Sequence, residues 1–482
     1  MRIWLTAGLF LLAQAVFGNT DARQAIVKVY TTYSVPYYYT PWNMSGPSTR
    51  TGSGCIIAGK RILTNAHVVG DETFIQVRRY GDAKKYRAHV LFVSHIVDLA
   101  LLSVDDDAFF EGTAPLEIDG LPETQTEVTV LGFPTGGDML STTKGVVSRI
   151  EHRNYVHSSF SFLAGQIDAA INPGNSDGPV MVNDKLVGVV MQQLRSAENI
   201  GYMVPAPVIE HFLNDVADGR YDGMPDLGLR TGELENPDMK RKCGVPQGKT
   251  GISVQYVSPG SAGDGVIQPG DVILEIGGYP VADDGTVEFR KDERTSYSYP
   301  VECRQIGDSM PIRIFRSGRE TNVTVIFHRP AEDETPVPRE QYDTPPSYYI
   351  VGGAVFCPLT KNYLLSWRDW YDKAPKNLVY AYQYDDLTVP DEQVVMLMRV
   401  LADDVNKGYH GWSSWIVESV NGQTINSLKE LVLLVENSRD EFLVFSDGRN
   451  RELVLDRVKA QAASKEILQR YRISSDRSND LK

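Results

Sequence analysis

The chain is predicted to be mainly β, and three observations say so. Between Ala25 and Val204, short apolar runs alternate with Gly, Pro and polar turns: "AIVKVY", "GCIIAG", "FIQVRR", "LALLSV", "EVTVLGF", "KLVGVVM" and "GYMVP". Many short strands at this spacing fit a barrel or sandwich. Further on, "GISVQYVSPGSAGDGVIQPGDVILEIGGYPV" runs strand, small-residue turn, Pro-Gly-Asp, strand and Gly-Gly turn. The scheme then returns loosely. Ile273-Leu274 and Ile276-Gly277-Gly278 find counterparts around Val417-Glu418 and Val420-Asn421-Gly422, as two copies of one α+β module would.

Each segment has its reason. Arg2, the uncharged apolar run Ile3 to Leu12, and small residues at Ala13-Gln14-Ala15 and Gly18 read as a signal peptide over residues 1–18. The run is short for a bilayer span of about 20 residues, the alternative being an uncleaved anchor. The mature protein is therefore expected to be exported and soluble, periplasmic or secreted. Residues 24–222 form the first domain, closed by a helix that Pro207 opens with Val208, Ile209, Phe212, Leu213 and Val216 on one face. The first module spans 226–330 and the second 348–462. Between them "AEDETPVPREQYDTPPS" (331–347), acidic and proline-rich, reads as an extended linker. The tail 463–482 ends in "SSDRSNDLK" and is expected to fray.

At 482 residues the chain is too long for one core. A net charge of -14 argues against a nucleic-acid partner, because phosphate binding needs basic surface. Cationic proteins and unfolded polypeptides remain open as ligands. Cys55, Cys243, Cys303 and Cys357 lack zinc-site spacing, and neither a metal nor a cofactor is implied. Export would permit disulfides, with Cys243–Cys303 the first pair to test; buried unpaired thiols are the alternative.

Three stretches carry chemistry, in the order His, Asp, Ser. "ILTNAHVV" places His67 just after an apolar strand, "HIVDLALL" places Asp98 at the mouth of another, and "NPGNSDGP" puts Ser176 in a glycine-rich turn. A serine hydroxyl attacks poorly unless a neighbouring base takes its proton, and imidazole titrates in the right range. A buried carboxylate fixes the imidazole tautomer and stabilises the imidazolium. Glycine before the serine lets backbone N–H groups approach a developing oxyanion. Singly, each residue has an ordinary structural reading; together, in this order on an all-β domain, they are read as a catalytic triad.

"TNAHVV", "DLALL", "GNSDGP" and "GYMVP" resemble the chymotrypsin-like double β-barrel domain of the HtrA/Deg serine proteases. "VSPGSAGDGVIQPGDVILEIGGYPV" resembles their PDZ domains, and "YYIVGGAVFCPLT" with "VNGQTINSLKEL" is similar to the second PDZ domain of plant-type Deg proteases. The resemblance implies an ATP-independent endopeptidase working by acyl-enzyme chemistry on misfolded or damaged polypeptides, built on a homotrimer or multiples of it. It implies His67 as general base, Asp98 as its orienter, Ser176 as nucleophile, and an oxyanion hole at Gly174, Asn175 and Ser176. It points to Ala170, Met191 and Ile200 for the primary specificity pocket, where the absence of charge at the base predicts cleavage after small or medium aliphatic residues. "DLGLR" implies peptide C-termini held by Leu227, Gly228 and Leu229. The second module, with "SSWIVES" in place of "PGDVI", is expected to serve assembly or internal docking. The aromatic stretch "YSVPYYYTPWNM" (33–44) lies where the family inserts a loop for contacts across subunits; packing over its own barrel is the alternative.

Asp177 departs from the pattern, which has glycine there. A left-handed backbone would cost an aspartate roughly 1 kcal/mol. A carboxylate about 7 Å from the oxyanion, at effective dielectric ~20, would oppose it by roughly 2.4 kcal/mol, or about fifty-fold in rate. Turned into solvent it would cost less, and charge stabilisation on His67 would offset part of it. The expectation is a slowed or conditional peptidase; the alternative is a catalytically silent chaperone or peptide-binding scaffold.

Overall fold

The computed structural model describes residues 21–134, 137–170, 177–193, 200–331, 335–449 and 451–482. The expected signal peptide, together with Gly174, Asn175 and Ser176, lies outside the described residues. Two six-stranded barrels come first. One closes in the order β1 (Ile26–Tyr33), β2 (Ser48–Ile57), β3 (Arg61–Thr64), β6 (Leu99–Val104), β5 (Tyr86–Ser94), β4 (Glu72–Arg79). The other closes in the order β10 (Pro179–Val182), β11 (Lys185–Gln193), β12 (Gly201–Pro205), β9 (Ser161–Ile167), β8 (Ser141–Asn154), β7 (Glu127–Gly132). Closure leaves neither sheet a free edge. One apolar core runs through both, from Ile26, Ile62 and Leu101 to Val130, Phe162 and Val189. A one-turn helix α1 (Ala66–Val69) follows β3, and helix α2 (Ala206–Asp215) buries Val208, Ile209 and Phe212 against the second barrel.

The internal repeat has a structural counterpart. In the first module the strand Val272–Ile276 turns through Gly277 and Gly278, at φ +56° and +91°, so that Ile276 faces Tyr279. In the second, Val420 faces Gln423 across Asn421 and Gly422, at φ +47° and +74°. Two successive left-handed residues make the two-residue hairpin turn that suits strand twist. The first module's groove lies between Leu227–Leu229 and the short helix Tyr299–Glu302, facing the second barrel. The buried pair His152–Glu302, at 2.8 Å, ties that module to the second barrel, with Thr295 on the other imidazole nitrogen at 2.6 Å.

The structure decides three of the sequence expectations. The end of the chain is ordered rather than frayed: Ile350 N–H donates to Asp476 O at 2.7 Å, and Arg477 reaches Glu436 at 2.7 Å. The edge strand Tyr349–Val351 needs a partner for its backbone groups, and the tail supplies one. All four cysteines are free thiols, Cys55 and Cys357 buried. The aromatic stretch packs in part against the second module, while Tyr37 and Met44 stay exposed. Tyr38 joins the second module's core, Trp42 meets Tyr348 edge-on at 5.8 Å, and Arg399 lies 4.0 Å over Tyr39. Among the described residues no helix is long and apolar enough to cross a membrane.

Candidate active site

Strand pairing builds the site. β3 and β6 are antiparallel neighbours with Thr64 opposite Ala100, so the chain leaving β3 and the chain entering β6 meet on one barrel rim. That rim carries His67 on α1 and Asp98 just before β6. Asp98 is fully buried in left-handed backbone, at φ +57°. A buried carboxylate needs donors on both oxygens, and Asp98 has them. Oδ1 accepts the His67 backbone N–H at 2.9 Å; Oδ2 accepts Asn65 Nδ2 at 2.9 Å and the Tyr155 hydroxyl. His67 Nδ1 lies 2.8 Å from Oδ2 and 3.0 Å from Oδ1. A carboxylate can only accept, so Nδ1 carries the proton and Nε2 is left as the working nitrogen. Burial alone would raise the Asp98 pKa, but the charge on His67 and its hydrogen bond hold it below the ordinary value.

The working nitrogen faces Asp177. This residue takes the left-handed conformation, at φ +85°, and its amide donates to Val190 O at 3.1 Å. Its side chain is 5% exposed, and Oδ1 stands 3.0 Å from His67 Nε2. The carboxylate is thus neither remote from the base nor turned into solvent. Gly52 of β2 makes room, since a Cβ there would come within 2.9 Å of Asp177 Oδ2. Gly178 is equally constrained, because a Cβ would fall 1.9 Å from Leu131 O. Burial of the imidazole would lower its pKa, yet the two flanking carboxylates outweigh that and hold His67 well above the ordinary histidine value.

The remaining sequence-predicted residues fall as follows. Ala170 is exposed where the chain leaves β9, Met191 is buried in β11, and Ile200 packs partly against the second barrel's core. Leu227 is buried and Gly228 takes φ +66°; Leu227 and Leu229 line a cavity of about 400 Å³ with Phe160, Val301 and Arg339. Among the described residues no group of three or more His, Cys, Asp or Glu is arranged to hold a metal ion. Sequence reasoning missed Asn65 and Tyr155. Asn65 stands inside the quoted "TNAHVV"; Tyr155 carries no signal, because it reaches Asp98 only across the groove between barrels.

Two barrels meeting at a His–Asp pair, followed by two PDZ modules, define a serine-protease architecture, and the comparisons agree. A trypsin-like peptidase domain matches residues 52–189, and PDZ domains match 229–293 and 337–480. Protease Do-like 2, chloroplastic, from Arabidopsis thaliana is 41% identical over 95% of this chain and 75% of its own length. Putative protease Do-like 3, mitochondrial, from the same plant is 38% identical over 95% of this chain and 80% of its own. A solved HtrA-type protease AlgW with tripeptide shares the fold at TM-score 0.51 and 24% identity, over 64% of this chain and 94% of that one. The chain belongs to the Do-like, or HtrA/Deg, family of serine proteases.

Proposed function

We propose that the protein is a serine endopeptidase whose general base is held in check by Asp177. The observation that carries this reading is the fully buried Asp98 bonded to His67 Nδ1 on the rim between two barrels. Ser176 Oγ attacks the scissile carbonyl while His67 Nε2 takes its proton, and Asp98 stabilises the imidazolium. The N–H groups of Gly174, Asn175 and Ser176 receive the oxyanion. The protonated imidazole then gives its proton to the leaving amine, leaving an acyl-enzyme that water hydrolyses. Proton acceptance requires Nε2 to be free of the Asp177 carboxylate, so turnover begins when that side chain moves aside.

The substrates that fit are misfolded or damaged polypeptides cut after small or medium aliphatic residues at a pocket of Ala170, Met191 and Ile200, without ATP. The first PDZ module holds peptide C-termini at Leu227, Gly228 and Leu229, and the working unit is a homotrimer or a multiple of it. The N-terminal segment is a removable targeting signal, consistent with export; the Arabidopsis relatives carry mitochondrial and chloroplastic designations. A second reading, a silent chaperone or scaffold, is favoured by one observation, the contact of Asp177 with Nε2. Fluorophosphonate labelling and casein degradation by wild type, Ser176→Ala and Asp177→Gly separate the two. Labelling that Ser176→Ala abolishes is expected; no labelling in any of the three would establish the scaffold.

A further inference from the structure

Read from its composition, the segment between the PDZ modules is a spacer; in the structure its middle forms a wall beside the catalytic dyad. Tyr342 stacks face to face on His157, ring centroids 3.7 Å apart and planes 12° apart. Its hydroxyl donates to the His157 carbonyl at 3.0 Å, and its ring lies 4.8 Å from His95. The next residue, Asp343, places Oδ2 2.7 Å from His95 Nε2, and its amide donates to Asp71 Oδ1 at 3.0 Å. His95 Nδ1 in turn lies 3.2 Å from His157 Nε2.

Proton placement follows from the carboxylate, which accepts only. His95 carries its proton on Nε2, and in the neutral ring Nδ1 accepts from His157 Nε2–H. Burial, aided by His95, His67 and Arg50 and opposed by Asp98, pushes the His157 pKa down to about 3, so that ring is neutral. The groups facing it are His67, 6.2 Å away between ring centroids, Tyr155 at 5.8 Å, His95, Arg50, Asp98 and Tyr342. Tyr155 is the same residue whose hydroxyl bonds Asp98. A continuous packed path therefore joins the linker to the His67–Asp98 pair.

We propose that Tyr342 and Asp343 are positioning residues for the His67–Asp98 pair, acting through His95, His157 and Tyr155. The inference rests on the peptidase reading of that pair. The linker is pinned on both sides of the contact: Arg339 donates to Ser159 O at 2.6 Å, and Thr344 O accepts from Tyr38 at 2.9 Å. It then runs directly into the strand Tyr349–Val351. A shift of the second PDZ module consequently pulls on the wall that holds the base, and no peptide need enter the first module's groove.

The test uses the full chain with two readouts: peptide-hydrolysis kinetics against pH, and the low-field proton resonance of the His67–Asp98 hydrogen bond. Tyr342→Ala should lower kcat about tenfold with KM changed less than about twofold, as loss of orientation does. It should also displace or broaden the resonance. Tyr342→Phe, which keeps the stacked ring, should stay within about threefold of wild type. Wild-type kcat and resonance in Tyr342→Ala would overturn the proposal. Should that variant fail to fold, the isosteric Asp343→Asn decides, and an unchanged resonance and pH profile would overturn it equally. If neither wild type nor Asp177→Gly hydrolyses peptide, the peptidase reading fails while the resonance still decides the positioning claim.

Discussion

Replacing Asp177 by glycine should release the base. Asp177 Oδ1 lies 3.0 Å from His67 Nε2, and the side chain holding that nitrogen is 32% exposed. With charge centres about 4 Å apart at an effective dielectric of ~20, carboxylate and imidazolium attract by about 4 kcal/mol. Screening through the open third of the ring leaves roughly half, ~2 kcal/mol. Holding the protonated base more firmly by that amount thins neutral imidazole by up to about thirtyfold, so kcat/KM in Asp177→Gly should rise by up to about thirtyfold on the acidic limb. Glycine also removes the strain of φ +85°. The acidic limb of the pH–kcat/KM profile should lie above the ordinary histidine range in wild type and move down in the variant, because the folded-state pKa is raised. Stability linked to His67 has the same sign: it is fully present below the ordinary value of 6.5 and lost as pH rises through the raised one. Asp177→Asn, which keeps the shape without the charge, should fall between. Unchanged kcat/KM together with an unmoved acidic limb in Asp177→Gly would refute the reasoning.

Three further outcomes are expected. Tyr155→Phe removes a donor from the buried Asp98 and should cost about 1–2 kcal/mol by urea denaturation; an unchanged midpoint counts against that bond. Because the Asp98 pKa is depressed, the stability it carries is present above 3.8 and fades as pH falls through the lower folded value, so the variant should unfold at higher pH during acid titration. Glu302→Ala strands the His152 ring N–H at the barrel–PDZ contact and should weaken docking by about 1–3 kcal/mol, seen as faster proteolysis between the domains. Truncation after residue 474 strips the partner from Tyr349–Val351, and should lower the melting temperature and promote self-association by light scattering; a monodisperse, equally stable product would contradict this.

Much of the fold was legible in the sequence because it rests on local rules. Period-two apolar runs, left-handed turn residues such as Asn421-Gly422, and Pro207 at a helix start act within a few residues of chain. His67 and Asp98 were legible for a related reason: each sits at a strand end, and β3–β6 pairing brings such ends together. Ala170, Met191 and Ile200 rest on resemblance to the family.

What the sequence by itself determined is the pattern: a β-rich first domain, a repeated second unit, and an aspartate where the turn favours glycine. Only the tertiary structure decided where that aspartate points. It decided as well that Tyr155 holds Asp98, that an acidic, proline-rich stretch packs against His157, and that the tail completes a sheet. The physical reason is the same in each case. A side chain's partner is set by which backbone segments approach in space, and segments far apart in sequence, such as residues 155 and 98 or 342 and 157, leave no periodicity for composition to reveal.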